Sequence, residues 1–417
     1  MRLTLWCALF VSALLLLPAP GWGQESLSIT LGEALTLARD RNPDLLATRQ
    51  ELEVARGRLV KARYPSQFNP EIGSEAAYRE RNEPGETGSV TDFSITLSQQ
   101  VEIAGQRGQR IREAEQSLAR TEAGVHDRER LLDAEVKATF FQALARRRRL
   151  ELLRTIEELN RRVRDATAAR VQAGESPVME ENLAQIRYGQ SRKETLTAEA
   201  DEAAALLELR RLLNLSAEAL IEPVGELRGE GKEVALRETL ERALTTRPDL
   251  AAAGREVERV DAELALTRRL AVPNPTIEGF YRKEERGPDR IAGIGLRIPL
   301  PLFDRKQGEL VALAGRQSQA RFEVDARRRT IEQEVSEALR RYDATRRTLM
   351  VFEQDVLARV DENFRFIETA YRAGKIDLFQ FIVVQNDLVA AQLSYIDSLA
   401  RFREAEVNLE RAVGGPF

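Results

Sequence analysis

Pro43-Asp44-Leu45, with Asn69-Pro70 beyond it, returns as Pro248-Asp249-Leu250 with Asn274-Pro275, every residue displaced by 205 positions. From Pro43 to Pro70 and from Pro248 to Pro275 the spacing is the same 27 residues, so the chain carries an internal duplication. Further on, Ala173-Gly174 returns as Ala373-Gly374, Gln185 as Gln385 and Leu209 as Leu409, now displaced by 200, so the second copy lacks about five residues in between. The repeat divides the chain into 24–214 and 236–417, joined by a linker at 215–235. Two copies of so long a unit argue against a solenoid of short stacked repeats and for one large motif used twice with pseudo-symmetry.

Of 417 residues, 31% are charged and 6% aromatic, where ordinary soluble domains carry ~25% charged residues. Little of such a chain can enter a thick apolar core. The 63 basic and 67 acidic residues nearly cancel, to a net charge of −4, which suits long solvated helices and leaves no basic footprint for nucleic acid.

The N-terminus reads Met1-Arg2, an apolar run from Leu3 to Leu17, then Pro18-Ala19-Pro20-Gly21-Trp22-Gly23. One positive charge, a short apolar core and small residues at its end describe a secretory signal peptide, 1–23, cleaved near Gly21 or Gly23. The one cysteine, Cys7, lies inside that core and so cannot be a lipidated N-terminal residue of the mature chain. No later stretch of 18 apolar residues can span a membrane as a helix. The only membrane-crossing structure left open to an exported chain of this kind is a β-barrel.

Leu45, Thr48, Leu52, Ala55, Leu59 and Ala62 alternate steps of three and four, and Leu250, Ala253, Val257, Val260, Leu264 and Thr267 repeat the pattern. A 3.5-residue period marks a narrow helical seam that favours left-handed supercoiling. Phe381, Leu388, Tyr395, Phe402 and Leu409 form another such seam, every seven residues. Proline-free helical pattern runs over 105–172 and 306–372, each about 100 Å at 1.5 Å per residue. Shorter helices are predicted before each hairpin and over 178–213 and 378–413.

Each copy also holds a strand pair, because helices must stop before Asn69-Pro70 and Asn274-Pro275. In 71–101, Ile72, Ala76 and Tyr78, then Phe93, Ile95 and Leu97, alternate with polar residues; 276–300 repeats this with Ile277 and Tyr281, then Ile294, Leu296 and Ile298. The apolar parity of the two copies slips by one residue in this reading. Strands of about ten residues with period two match outer-membrane strands, and closed barrels need at least about eight of them. With four per chain, a barrel must be shared among subunits; a soluble hairpin packed on helices is the alternative.

The plan of signal, helix, hairpin, long helix, Ala-Gly turn and returning helix, all duplicated, resembles the TolC-like outer-membrane efflux proteins over essentially the whole mature chain. The segments Ser98-Gln99-Gln100-Val101-Glu102-Ile103-Ala104-Gly105-Gln106-Arg107-Gly108 and Ile298-Pro299-Leu300-Pro301-Leu302-Phe303-Asp304-Arg305-Lys306-Gln307-Gly308 resemble its cobalt-zinc-cadmium, CzcC-like branch. The resemblance implies a mixed α and β membrane fold: a homotrimer with a 12-stranded β-barrel in the outer membrane, four strands per chain, and a long α-helical barrel across the periplasm. It also implies partners, a periplasmic adaptor (membrane fusion) protein and an inner-membrane efflux transporter, and divalent heavy metals as the cargo. A drug or type I protein export duct of the same fold is an alternative, and a soluble periplasmic coiled-coil adaptor is another from a different class.

Within that plan the Gly174-Glu175 and Gly374-Lys375 turns, with Asp377 after the second, lie at the end of the long helices away from the hairpins. Glycine supplies the left-handed cap that stops each helix, and Ser176 or Asp377 can cap the next. The same residues are candidates for a periplasmic tip and gate, where Glu175 and Asp377, repeated in each subunit, would attract cations. Asp377 serves equally as a plain helix cap.

The run Arg146-Arg147-Arg148-Arg149 reads as solvated helix surface. His126 is the lone histidine, and Met179 and Met350 are the only methionines beyond the signal, so no cluster of soft or borderline ligands exists to bind a metal in transit. No phosphate loop, nucleophile elbow or histidine base is present, and the chain reads as a non-enzyme without cofactor.

Overall fold

The computed structural model describes residues 27–83, 86–229, 231–283 and 290–417; the expected signal peptide with Cys7 lies outside them. Each copy begins with two helices that break at the residue before the Pro-Asp-Leu motif: α1 (Leu31–Arg41) and α2 (Pro43–Ala62), then α5 (Leu236–Thr246) and α6 (Pro248–Leu270). Proline at the first helical position starts α2 and α6, where its missing N–H costs nothing. A hairpin follows in each copy, β2 (Glu71–Glu83) with β3 (Glu86–Gln100), and β5 (Thr276–Lys283) with β6 (Arg290–Arg297). The long helix of the first copy is α3 (Gln106–Gln172), returning as α4 (Val178–Leu212). In the second copy α7 (Gln307–Val351) and α8 (Leu357–Arg372) are joined by a π-helical turn at Phe352–Val356, and α9 (Leu378–Val413) returns.

The sequence expected one uninterrupted helix over 306–372; the π turn corrects that, and the repeat explains it. Before the turn, buried positions recur at a displacement of 199, as Leu132 and Ile331, Val136 and Val335, Phe140 and Leu339, Leu150 and Leu349. After it the displacement is 200, as Asn160 and Val360, Thr167 and Ile367. One extra residue in the second copy is thus absorbed where the backbone widens, so the packed faces on both sides stay aligned.

The same bookkeeping locates the residues missing from the second copy. The rung Tyr78↔Thr91 of the first hairpin corresponds to Lys283↔Arg290 of the second, and twelve residues lie beyond the first rung but six beyond the second. Six is even, so side-chain parity is conserved: Leu97 corresponds to Leu296 and Ile95 to Ile294, and the expected one-residue slip between the copies does not occur. The second hairpin's ladder ends at Arg297, short of the expected residue 300.

A strand pair absent from the sequence reading ties the copies together. β1 (Leu27–Ile29) pairs in parallel with β4 (Ile221–Pro223) from the linker. Beyond β4 the linker is held by side chains of the second copy. The Arg403 guanidinium lies 4.6 Å from the Phe141 ring centre and donates to the Leu227 carbonyl at 2.8 Å, while the Tyr342 hydroxyl donates to the Lys232 carbonyl at 2.9 Å. Gly229 passes so close that a Cβ there would sit 2.8 Å from the Phe402 ring, which excludes any larger residue without movement.

The residue before each Pro-Asp-Leu motif performs one task in two chemistries. Asn42, buried, donates to the Leu212 carbonyl at 3.1 Å and accepts from the N–H groups of Asp44 and Leu45, so it both caps α2 and closes the end of α4. At the equivalent place Arg247, 4% exposed, donates to the Ala412 carbonyl at 3.1 Å, closing the end of α9. A guanidinium cannot accept a helix N–H. It is instead neutralised by Asp249, at 2.9 and 2.7 Å, and by Glu334 of α7.

Candidate functional site

The four strands form one antiparallel sheet in the order β2-β3-β5-β6, in which the first hairpin pairs with the second through β3 and β5. Following the register across the sheet, Ile72, Ala76 and Tyr78 share a face with Phe93, Ile95, Leu97, Ile277, Tyr281, Ala292, Ile294 and Leu296. The opposite face carries Glu71, Glu75, Arg79, Asp92, Ser94, Thr96, Glu278, Arg282 and Arg297. The apolar face is uncovered: Ile294 is 84% exposed, Ile72 79% and Leu296 65%. An apolar surface of that extent, turned outward, marks contact with a membrane or partner. The eight residues of β5 span about 26 Å at ~3.3 Å per residue, the height of a bilayer's apolar band.

Behind the sheet, the helices carry narrow apolar seams flanked by ion pairs. Of the expected α9 seam, Phe381, Leu388, Phe402 and Leu409 are buried, whereas Tyr395 is only half-buried. Its ring lies 6.2 Å from that of Phe352, and so packs against the π turn. The basic run on α3 is fully engaged: Arg146 with Asp201, Arg147 with Glu222 at 2.6 Å, Arg148 with Glu151, and Arg149 with Asp397 of α9. The run therefore stitches α3 to its neighbours. Between the copies, Arg259 of α6 reaches Glu113 of α3 at 3.4 Å and Arg120 of α3 reaches Glu256 of α6 at 2.9 Å.

At the far end of α3, about 100 Å from the sheet at ~1.5 Å per residue, two turns stand together. Both have the same backbone. Gly174 (φ 76°) donates to Val171 O at 3.0 Å and Glu175 to Arg170 O at 2.8 Å; Gly374 (φ 66°) donates to Tyr371 O at 3.0 Å and Lys375 to Ala370 O at 2.9 Å. This pair of bonds, closed through a left-handed residue, satisfies the last carbonyls of each helix and needs glycine at its centre. The turns are locked to one another from beneath, where Thr167 and Tyr371 share a buried hydroxyl hydrogen bond of 2.9 Å and the Tyr371 and Phe381 rings are 5.0 Å apart.

Beyond the glycines the turns differ. Asp377 caps α9, accepting from the Gln380 N–H at 2.7 Å while the Gln380 side chain returns to the Asp377 N–H at 3.3 Å. In the first turn Pro177 stands at that place with no side-chain bond, so Ser176 does not cap α4, contrary to the sequence expectation. Glu180 and Glu181 in the first turn of α4 complement its exposed N–H groups instead. Gly174, Glu175, Gly374, Lys375 and Asp377 are all exposed, and so are Met179 and Phe379 just beyond them, at 75% and 67%. No seam periodicity signals Met179 or Phe379, because they fall on the outer side of their helices. Likewise Asn42 and Arg247 carry no motif of their own; only their shared place before Pro-Asp-Leu points to them.

The model of a family described as outer membrane efflux protein matches residues 34–215 and 239–415, one match per copy. The chain belongs to that family. Among the relatives of this efflux protein, the cobalt-zinc-cadmium resistance protein CzcC of Cupriavidus metallidurans is 25% identical over 93% of this chain and 90% of its own. The pyoverdine export outer membrane protein OpmQ of Pseudomonas aeruginosa is 23% identical over 94% and 86%. Among solved structures, CusC superposes with a TM-score of 0.75 at 17% identity, over 96% of this chain and 95% of that one. The Campylobacter jejuni CmeC outer membrane channel superposes with a TM-score of 0.76 at 16% identity, over 93% and 86%. The fold is that of the TolC-like channels, and the protein is an outer-membrane efflux duct of the Gram-negative envelope, in a family of channels rather than enzymes.

Proposed function

We propose that this duct is the exit of a tripartite pump for divalent heavy-metal cations, working as a homotrimer whose twelve strands close one β-barrel and whose helices form a hollow tube across the periplasm. Energy comes from an inner-membrane transporter, and a periplasmic adaptor couples the two. The carrying observation for the duct is the placement of an uncovered apolar sheet face at one end of ~100 Å helices and a pair of matched turns at the other. Narrow seams support the hollow tube, because each helix needs apolar surface only toward its lateral neighbours. The signal peptide delivers the chain unlipidated, since Cys7 is removed with it.

For the cargo, the support is the likeness to the protein named for cobalt-zinc-cadmium resistance over 93% of the chain. With no cluster of three metal-ligating side chains among the described residues, the duct's role is passive conduction, and selection belongs to its partners. A second reading, export of a small organic molecule, is favoured by the relative named for pyoverdine export. A deletion strain decides between them: lost tolerance to zinc, cobalt and cadmium supports the metal reading, and heightened sensitivity to drugs with unchanged metal tolerance defeats it. Extraction of the mature protein from the periplasm without detergent defeats the duct reading altogether.

At the tip, exposed Asp377 and Glu175 act as the gate's cation-attracting groups. Asp377→Asn keeps a capping acceptor and removes the charge, so lowered cation preference in single-channel recordings at unchanged melting temperature supports the role. Unchanged preference reduces Asp377 to a cap.

A further inference from the structure

Gln385 is the counterpart of Gln185 across the duplication, and the two copies treat it differently. Gln185 is exposed on α4, whereas Gln385 is 1% exposed on α9, in the apolar seam between Phe381 and Leu388. Neither its Oε1 nor its Nε2 has a hydrogen-bond partner among the described residues. An amide buried without a partner is destabilising, and passive conduction makes no use of it. A lone polar residue in a helical seam can fix register, but to do so without cost it must bond across the seam, and this one does not.

Gln385 lines a cavity of about 500 Å3 between α3, α4 and α9, within the ~300–1,000 Å3 range of small-molecule sites. Part of the wall is apolar, where Leu153 and Ile156 of α3 meet Ala198 of α4, all buried. The rest is polar. Arg187 of α4 donates to Gln190 Oε1 at 2.9 Å and to the side chain of Asn386, which sets it beside Gln385, yet its Nε is buried with no partner among the described residues. Ser191, 4% exposed, commits its hydroxyl hydrogen to the Tyr188 carbonyl at 2.9 Å, so toward any further group its oxygen can only accept. Of the charged lining, Arg149 is met by Asp397 at 3.6 Å and Asp201 by Arg146 at 3.3 Å. Arg187 and Lys193 against Glu194 then leave one positive charge in excess.

We infer that this cavity is a binding site for a small hydroxylated monocarboxylate of sugar-acid size. The excess charge calls for a single negative group, and an ionised acceptor forms the strongest bonds to amide and guanidinium N–H groups. One carboxylate accepts from Gln385 Nε2 and Arg187 Nε. Hydroxyls of the same molecule donate to Gln385 Oε1 and Ser191 Oγ, which a carboxylate cannot do, and the apolar wall takes its carbon chain. The bound molecule bridges α3, α4 and α9 about 12 Å along α9 from Asp377, at ~1.5 Å per residue. Exposed Gln185 has no such setting, so the duplication supplies its own control.

Titration calorimetry on the full mature chain, purified in detergent, with gluconate, hexanoate and sorbitol tests the site, alongside melting curves with each. Gluconate is expected to bind about tenfold or more tightly than hexanoate, which lacks the hydroxyls, or sorbitol, which lacks the carboxylate. Gln385→Leu is expected to weaken gluconate by roughly tenfold or more while melting no lower than native without it; Gln185→Leu is expected to leave gluconate binding unchanged. Arg187→Ala, at the rim, gives the same reading where the buried substitution does not fold. Equal gluconate binding by native, Gln385→Leu and Arg187→Ala overturns the site. Hexanoate or sorbitol binding as tightly as gluconate overturns the ligand class. A Gln385→Leu variant that melts higher than native, with gluconate binding to neither protein, makes the amide a register device satisfied by water and overturns the inference.

Discussion

Replacing Arg247 by alanine tests the reading of the helix junctions most sharply. In the native structure its guanidinium is 4% exposed and bonded to Asp249, Glu334 and the Ala412 carbonyl. Removing one partner of a buried pair leaves the other charge stranded, at ~3–5 kcal/mol. Asp249, its side chain 10% exposed, retains Arg327 at 3.8 Å and the charge of Arg130, so the expected loss is about 3 kcal/mol, toward the lower end of that range. Adding Asp249→Ala removes the stranded carboxylate, and the double variant should recover at least ~1 kcal/mol of the loss, the coupling expected of contacting residues.

The pH dependence has a defined sign. Burial pushes the Asp249 carboxyl up, but the hydrogen bonds and charge of Arg247 outweigh it and hold the pKa below the ordinary carboxylate value. A folded pKa below the unfolded one, which is about 3.9, means stability that is present above that value and is lost as pH falls through the folded pKa. The gap between native protein and Arg247→Ala should therefore be full at pH 7 and shrink below pH ~4. Thermal unfolding in detergent, followed by circular dichroism from pH 7 to pH 3, reads both effects. A single variant within ~0.5 kcal/mol of native, the range of ordinary surface changes, or a double variant less stable than the single, refutes the account of a buried clamp.

Three further outcomes follow from particular residues. Phe402→Ala removes a fully buried ring 5.5 Å from Tyr342 and should cost ~3–5 kcal/mol, against a smaller loss for half-buried Tyr395→Ala, both read as melting shifts. Gly374→Ala adds a Cβ that meets nothing within 4 Å but at φ 66°, so it should cost ~1–2 kcal/mol of backbone strain alone, and a neutral result by the same assay contradicts the turn geometry. Deleting Gln354 converts the π turn at Phe352–Val356 to regular helix with the displacement of the first copy throughout. The variant should assemble with its melting temperature kept, and failure to fold would show that the turn is not a one-residue insertion.

How much was legible depended on periodicity. The seams, the strand alternation and the glycine stops announce themselves because their physics is local: a helix face recurs every three or four residues, a strand face every two, and a left-handed cap needs Gly174 and Gly374. Long-range pairings left weaker traces. The β1–β4 pair is three residues long in each strand, too short for any pattern, and the Arg403 clamp on the linker uses backbone carbonyls that every residue possesses. The Arg146–Arg149 run shows the converse: it reads as solvated surface, while carboxylates from α3, α4, β4 and α9 meet each arginine in space.

The sequence by itself determined that there are two copies and where the long helix and the hairpin of each fall, since these are written in spacings within one segment. Only the tertiary structure decided how the copies are registered, that six residues left the hairpin tip and one entered the long helix, and that Asn42 and Arg247 are one device. A spacing count returns only the net change. Separating a deletion from an insertion requires knowing which residues are buried against which, and burial is a property of the neighbours that folding brings together.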